Sequence, residues 1–143
     1  MDVVHKSDMW QFCGFKVITT NLQTRKDGTA IMGAGLAKQA ADRYPELPIL
    51  YGERLLSGAK GGRFQYEDLL LLPTKRHWRE KSDLPLIKEG IAALRQWCLL
   101  FPDERLAIPP LGCGLGGLNL KTQVLPLLNE AFVFMKNVTL YLP

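Results

Sequence analysis

The sequence predicts an α/β fold, in which the strands of one sheet alternate with helices that pack against it. Short apolar runs such as Phe15–Thr20 and Leu69–Leu72 alternate along the chain with amphipathic stretches, which is typical of α/β layering. The chain is 143 residues long, and that length suits one domain with a substantial core. We therefore expect residues 1–143 to form a single domain.

The first half of the chain predicts four strands and two helices. β-branched and apolar runs predict the strands, a shared apolar face predicts the first helix, and prolines mark the end of that helix and the start of the next. In order, these are a strand from Val3-Val4, a strand over 15–20, a helix with Leu36, Ala37, Ala40, Ala41 and Tyr44 on one face that ends at Pro45, a short helix from Pro48 toward Ser57, and strands over 63–65 and 69–72.

The second half predicts two helices and two strands. Ser82 or Asp83 caps the clearest helix, with Pro85 in its first turn. Its apolar residues recur at the helical period. The buried stripe is Ile87, Ile91, Leu94, Cys98 and Phe101. The remaining elements are a strand over 106–108, a helix from Asn119 or Thr122 to about Phe134 with Pro126 in its first turns, and a strand over 138–142.

Composition excludes several classes of protein. No apolar run approaches the ~18 residues of a membrane span, and the N-terminus has no apolar segment of a secretory signal. Cys13, Cys98 and Cys113 have neither a CxxC spacing nor paired histidines, which argues against a zinc site and a disulfide framework. We expect a cytoplasmic protein with no metal and no cofactor. The net charge of +4 suits a polyanionic ligand or a solvated basic surface.

Two glycine-rich loops carry the main functional signal. Residues 28–35 end in Gly33-Ala34-Gly35 and run directly into a helix, so backbone N–H groups and a helix N-terminus would face the same anion. A plain tight turn explains this loop about equally well. Residues 111–118 contain Gly112, Gly114, Gly116 and Gly117, a density well beyond what a turn requires.

The second loop does not belong to a dinucleotide-binding fold or a P-loop. Gly112, Gly114 and Gly117 satisfy GxGxxG formally, but Pro109-Pro110 separates them from the preceding strand, and no acidic residue stands at the next strand end. Lys121-Thr122 follows a leucine rather than a glycine. Two glycine loops at the ends of different strands remain, and they predict a clamp on a diphosphate.

Residues 74–81 combine four cations with a histidine and an aromatic side chain after a buried strand. Lys75 suits a phosphate ligand, a nucleophile or an acid. His77 suits a general acid or base near neutral pH. Trp78 suits base stacking or ordinary packing. A solvated basic loop is the alternative for the whole segment, and contact with a DNA backbone is a further one.

These motifs resemble the macrodomain family over about residues 6–142. The most specific pieces are 109–118 and 30–37, which resemble its two phosphate loops. The 74–79 segment is similar to the DarG-type branch, whose members remove ADP-ribose from DNA and which includes small phage-type proteins. The resemblance implies a three-layer α/β/α fold with a central mixed sheet, ADP-ribose or an ADP-ribosylated substrate as partner, and no membrane association. We expect a monomer.

The resemblance also implies a set of site residues. Asp8, with Met9 beside it, corresponds to the adenine-binding aspartate, and Asn21 to the asparagine near the distal ribose. Lys75 corresponds to the lysine needed for hydrolysis, and we assign His77 with it as catalytic. The phosphate loops would comprise Gly33, Ala34, Gly35, Gly112, Cys113, Gly114, Leu115 and Gly116.

Three features depart from the family pattern. Ser7 replaces the usual glycine before the aspartate, and Gly116 stands where a related human glycohydrolase has the aspartate partner of its lysine. Residues 24–29 lengthen the first loop relative to DarG. We predict an ADP-ribosyl hydrolase that acts on ADP-ribosylated thymidine in DNA or a related conjugate. The alternatives are an ADP-ribose 1″-phosphate phosphatase and a non-catalytic ADP-ribose-binding module.

Overall fold

The computed structural model describes residues 1–114 and 116–143. Its helices and strands follow the predicted order. The strands are β1 (Asp2–His5), β2 (Phe15–Asn21), β3 (Phe64–Tyr66), β4 (Leu69–Lys75), β5 (Leu106–Ile108) and β6 (Val138–Leu142); the α-helices are α1 (Gly35–Arg43), α2 (Leu47–Leu56), α3 (Leu84–Leu100) and α4 (Leu125–Phe132); 3₁₀ turns lie at Met9–Gln11 and Lys60–Gly62.

The strands form one mixed sheet in the order β1-β6-β5-β2-β4-β3. All neighbouring pairs are parallel except β3 and β4, which form an antiparallel pair at one edge. The carboxyl ends of β2, β4 and β5 therefore meet at the same side of the sheet. Ligands bind at that side in open α/β sheets.

Both faces of the sheet are covered by helices, because successive strand residues point to opposite faces. In β2, Val17 belongs to the core under α3 and α4, whereas Ile18 belongs to the core under α1 and α2. In β4, Leu70 and Leu72 share the first core, while Leu69 and Leu71 lie in the second. The predicted three-layer α/β/α fold with a mixed sheet is confirmed.

Two helix ends differ from the prediction. Phe101 follows the last residue of α3 and is 48% exposed, so it is not part of the buried stripe. The last helix ends at Phe132, and Phe134 is 94% exposed. This helix begins with a π turn over Leu120–Val124 that leads directly into α4, where Pro126 occupies an early position at which its missing N–H is tolerated.

Within the described residues, no helix has the length and the apolar character that crossing a membrane would require.

Candidate ADP-ribose-binding site

A cavity of about 630 Å³ opens at the carboxyl ends of β2, β4 and β5. Strand ends, both glycine loops and the segment after β4 line it, so the topology brings together parts of the chain that are far apart in sequence. The lining residues are Thr19, Thr20, Asn21, Arg25, Ile31, Gly33, Ala34, Gly35, Leu36, Ala37, Thr74, Lys75, Trp78, Ser82, Pro109, Pro110, Gly112, Gly114 and Gly116.

The first glycine loop presents the N-terminus of α1 to the cavity. Ala34 is the N-cap residue in an extended conformation, and no side chain caps the helix. The first turn of α1 contains no acidic residue, so its N–H groups and the positive end of the helix dipole are available to an anion. No heavy atom of the described residues lies within 4 Å of an ideal Cβ at Gly33, which leaves room for a ligand beside this loop.

The second glycine loop is held from below by the start of α3. The Ser82 N–H donates to the Gly116 carbonyl at 2.9 Å, and the Leu118 N–H donates to the Gly112 carbonyl at 3.0 Å. Gly112 has a φ of +73°, which favours glycine. No acceptor among the described residues pairs with the N–H of Gly112, Gly114 or Gly116. Unpaired backbone donors of this kind are suited to an anion.

Lys75 and Asn21 lie side by side at the ends of β4 and β2. They are register partners, next to a β-bulge between Thr20 and Asn21. The Asn21 side chain holds the first loop, because its Nδ2 donates to the Ile31 carbonyl at 3.1 Å and its Oδ1 accepts from the Gln23 N–H at 3.0 Å. Lys75 is half-buried and takes part in none of the ion pairs that the described residues form.

The 24–30 segment is a closed hairpin that brings Arg25 to the cavity. Thr24 pairs with Ala30 in an antiparallel bridge, and the Arg25 N–H donates to the Thr29 carbonyl at 2.8 Å. The base of the hairpin packs on α2, where the Ala30 N–H donates to the Pro48 carbonyl at 2.8 Å. The residues that lengthen the first loop therefore contribute one arginine to the cavity wall.

Trp78 lies at the mouth of the cavity and is 44% exposed. The backbone N–H of Trp78 donates to Gln23 Oε1 at 3.4 Å, and this hydrogen bond connects the segment after β4 to the first loop. The Arg79 guanidinium lies over the indole, 4.6 Å from the ring centroid. Trp78 therefore offers an aromatic surface to any part of a ligand that extends out of the cavity.

Four of the predicted site residues do not line this cavity. Asp8 caps the short 3₁₀ turn by accepting from the Trp10 N–H, and Met9 is buried in the core below it. His77 Nδ1 accepts from the Arg79 N–H at 3.4 Å. Cys113 donates its thiol to the Leu111 carbonyl, and burial raises the pKa of that thiol. Roles for these four residues stay predictions.

Leu115 was also predicted to bind the ligand, and it lies outside the described residues. Elsewhere in the chain as described, no group of three or more histidine, cysteine or acidic side chains is placed to hold a metal ion.

The structure adds site residues that sequence reasoning did not select. Ser82 was considered only as a helix cap, but Asp83 is the N-cap of α3, and Ser82 lies under the second loop. Thr74, immediately before Lys75, and Arg25 also line the cavity. Thr74 belongs to the 74–81 segment and Arg25 to the lengthened first loop, so the sequence indicated both segments without singling out these two residues.

No family model matches the chain. A DNA ADP-ribosyl glycohydrolase of Mycobacterium tuberculosis is 33% identical over 99 residues, which cover 62% of this chain and 28% of that protein. The macrodomain of Mycobacterium tuberculosis DarG superposes with a TM-score of 0.80 at 28% identity, covering 99% of this chain and 97% of that structure. Thermosipho africanus DarTG, solved in complex with ADP-ribose, superposes with a TM-score of 0.81 at 26% identity, covering 99% of this chain and 42% of that chain.

The three-layer fold and its paired glycine loops are those of a macrodomain, and the chain is similar to macrodomains in sequence and in structure. Among macrodomains, it is similar to those of DarG proteins. The chain spans less than a third of the length of the Mycobacterium tuberculosis glycohydrolase that it matches.

Proposed function

We propose that the protein binds ADP-ribose and hydrolyses the bond between ADP-ribose and a modified target, with ADP-ribosylated thymidine in DNA as the substrate. The observation that carries this proposal is the position of Lys75, which shares one cavity with the uncapped N-terminus of α1 and the second glycine loop. A site that only held a diphosphate would not need a half-buried amine at its end.

The two loops give the ligand its orientation. N–H groups at the start of α1 and in the second loop would hold the diphosphate from opposite sides. The ribose attached to the far phosphate would then lie near the ends of β2 and β4, beside Asn21 and Lys75. Fixing the anomeric carbon next to a catalytic group lowers the barrier by several kcal/mol through proximity alone.

The Lys75 amine can act in either of two ways. As a nucleophile, the neutral amine forms a bond to the anomeric carbon while the glycosidic bond breaks; the electron pair of that bond and a proton from the attacking nitrogen pass to the base nitrogen, and water then displaces the lysine. As an acid, the ammonium donates a proton to the departing base while water adds to the same carbon and returns a proton to the amine. In both cases the products are free ADP-ribose and the unmodified base.

The relatives support this choice of substrate. The similar Mycobacterium tuberculosis protein is named a DNA ADP-ribosyl glycohydrolase, and the similar Thermosipho africanus protein was solved with ADP-ribose. Gly116 lines the cavity in this chain, so the second loop supplies no carboxylate at that position. The proposal therefore places the chemistry on Lys75 without a paired aspartate.

The test is release of ADP-ribose from a single-stranded oligonucleotide that carries ADP-ribosylated thymidine. We expect release by the unaltered protein and a loss of at least two orders of magnitude in rate for Lys75→Met, which keeps the length of the side chain without the amine. Lys75→Arg should also lose activity under both mechanisms, because a guanidinium is neither a nucleophilic amine nor a proton donor at neutral pH; it tests whether positive charge alone is sufficient. Lys136→Ala, an exposed lysine after α4, is the matched control.

Calorimetry with ADP-ribose makes the result interpretable. Binding without release from any conjugate would replace the hydrolase with an ADP-ribose-binding module. The absence of binding would refute the proposal that ADP-ribose is the ligand. The phosphatase alternative receives no support from the geometry, because His77, its water-activating candidate, does not line the cavity.

Further properties belong to the same proposal. We propose that residues 1–143 act as one macrodomain of the phage-type branch, as a monomer and in the cytoplasm. The cysteines support a reducing compartment, since Cys13, Cys98 and Cys113 are all free thiols.

A further inference from the structure

The cavity mouth carries an aromatic side chain and several cations whose arrangement suits a nucleic acid strand. Trp78 lines the cavity and is half exposed, and Arg79 lies over its ring. Arg25, on the 24–30 hairpin, also lines the cavity. Lys81 lies beside the second loop, with its Cγ and Cδ 4.0 Å from an ideal Cβ at Gly117.

Among the described residues, none of these cations forms an ion pair with a carboxylate. The ion pairs among the described residues involve Lys16, Lys38 and Arg76, and Arg25, Arg79 and Lys81 are exposed. The diphosphate of one ADP-ribose is already served by the backbone donors of the two loops. The additional positive charge of these three side chains, outside the loops, suits further phosphates that are attached to the same ligand.

We propose that Arg25, Trp78, Arg79 and Lys81 form a strand-binding surface that holds single-stranded DNA on both sides of the modified base. This inference rests on the proposed function and specifies which residues contact the target. Trp78 stacks on the modified base as it enters the mouth, and the three cations contact the flanking phosphates. A base inside a duplex cannot reach a recessed amine such as Lys75, so the strand must be single or the base extruded.

Each part of this surface has its own measurable signature. Stacking of one base on an aromatic side chain changes affinity by about tenfold on alanine substitution, so Trp78→Ala lowers kcat/KM about tenfold and Trp78→Phe restores most of it. Each phosphate contact on a single strand contributes a slope of about 0.7 to the salt dependence of binding. Arg79→Ala and Lys81→Ala therefore raise KM and reduce that slope.

The experiment compares two substrates, an ADP-ribosylated oligonucleotide and ADP-ribosylated thymidine as the free nucleoside. We expect Lys81→Ala to impair turnover of the oligonucleotide and not of the nucleoside, whereas Trp78→Ala impairs both. Lys136→Ala removes the same charge from an exposed position just before β6, away from the carboxyl ends of the strands, and serves as the control. If Lys81→Ala and Trp78→Ala match Lys136→Ala on the oligonucleotide, the proposal is overturned.

Binding of the unmodified strand separates this inference from the hydrolase proposal. Fluorescence anisotropy needs no turnover, so strand binding that depends on Arg25, Trp78 and Lys81 supports the surface even if no ADP-ribose is released. Turnover of the oligonucleotide with strand binding that is insensitive to all three residues refutes the surface and leaves the hydrolase intact.

A second inference comes from an independent observation, the buried hydroxyl of Ser82. Ser82 is 9% exposed, lines the cavity, and its Oγ has no hydrogen-bond partner among the described residues. It lies directly under the second loop, 1.9 Å from an ideal Cβ at Gly116 and 2.8 Å from one at Gly112. A buried hydroxyl without a partner destabilises the free protein, and in native structures it calls for an explanation.

We infer that Ser82 is a positioning residue that obtains its hydrogen bond when a diphosphate occupies the second loop. Removal of the hydroxyl should then stabilise the free protein against unfolding and weaken its binding of ADP-ribose. Ser82→Ala raises the thermal midpoint of the free protein by about 2–4 °C and weakens ADP-ribose binding about tenfold. Ser57→Ala removes an exposed hydroxyl that bonds the Arg54 carbonyl, and it should leave ADP-ribose affinity unchanged.

Calorimetry and thermal unfolding of the same samples test this inference. Stabilisation together with weaker binding supports it. A Ser82→Ala variant that binds ADP-ribose as tightly as the unaltered protein overturns it, and so does one that unfolds at a lower temperature.

Discussion

Gly116→Ala should damage the second loop by a clash that can be read from the structure. An ideal Cβ at Gly116 lies 1.9 Å from Ser82 Oγ and 2.6 Å from the Gly112 carbonyl oxygen. The hydroxyl can rotate away, but the carbonyl is backbone, so the loop must move. That movement breaks the Ser82 N–H bond to the Gly116 carbonyl and the Leu118 N–H bond to the Gly112 carbonyl. Two hydrogen bonds at about 1 kcal/mol each amount to about 2 kcal/mol.

Because the proposed function assigns the diphosphate to this loop, we expect the loss to appear as ADP-ribose affinity reduced about thirtyfold, measured by calorimetry. Gly114→Ala is the matched comparison, since an ideal Cβ there meets no described atom within 4 Å; it should weaken binding several-fold less. Equal losses for Gly114→Ala and Gly116→Ala would show that the clash is not the cause.

Three further predictions concern stability and the support of the site. Gly52→Ala places a Cβ 2.0 Å from the Gly28 carbonyl oxygen, so it should weaken ADP-ribose binding although it lies outside the cavity; calorimetry that shows no change would count against this. Asp83→Ala should cost about 1 kcal/mol at pH 7 as a lost helix cap. The Leu86 N–H holds the pKa of Asp83 below its ordinary value of 3.8, so this stabilisation is present above that pH and lost as the pH falls through the lowered pKa; denaturant titrations at pH 7 and pH 3 should show the difference between variant and unaltered protein shrinking. Phe132→Ala should cost about 3–5 kcal/mol, because the ring is fully buried, and a loss under 1 kcal/mol in urea unfolding would contradict the core assignment.

The layered fold was predictable because its signals are local and periodic. Alternating burial along β2 and β4 follows from their apolar runs, and the 3.6-residue pattern of α3 follows from its stripe. The errors lie at helix ends, where periodicity stops being informative. Phe101 and Phe134 continue the apolar pattern in sequence but lie just beyond the last turns of α3 and α4, where no facing layer remains to cover them.

The site was predictable to the extent that glycine marks backbone that approaches a ligand. Gly33, Gly35, Gly112 and Gly116 all line the cavity, and so does Lys75. Ser82 was not predictable, because its importance depends on the long-range packing of the start of α3 under the second loop. In the sequence, a serine before a helix predicts an N-cap residue. Only the three-dimensional arrangement shows that Asp83 is the N-cap of α3.

The 24–30 hairpin has a thermodynamic consequence for recognition. Its cross-strand bridge and its contacts with α2 order the segment during folding. A disordered loop of this length would lose backbone entropy worth on the order of 10 kcal/mol when a ligand fixed it. Here the backbone entropy is lost when the protein folds, so this loss does not weaken ligand binding. The same pairing fixes the backbone from which the Arg25 side chain extends, so this part of the cavity wall is formed before a ligand arrives.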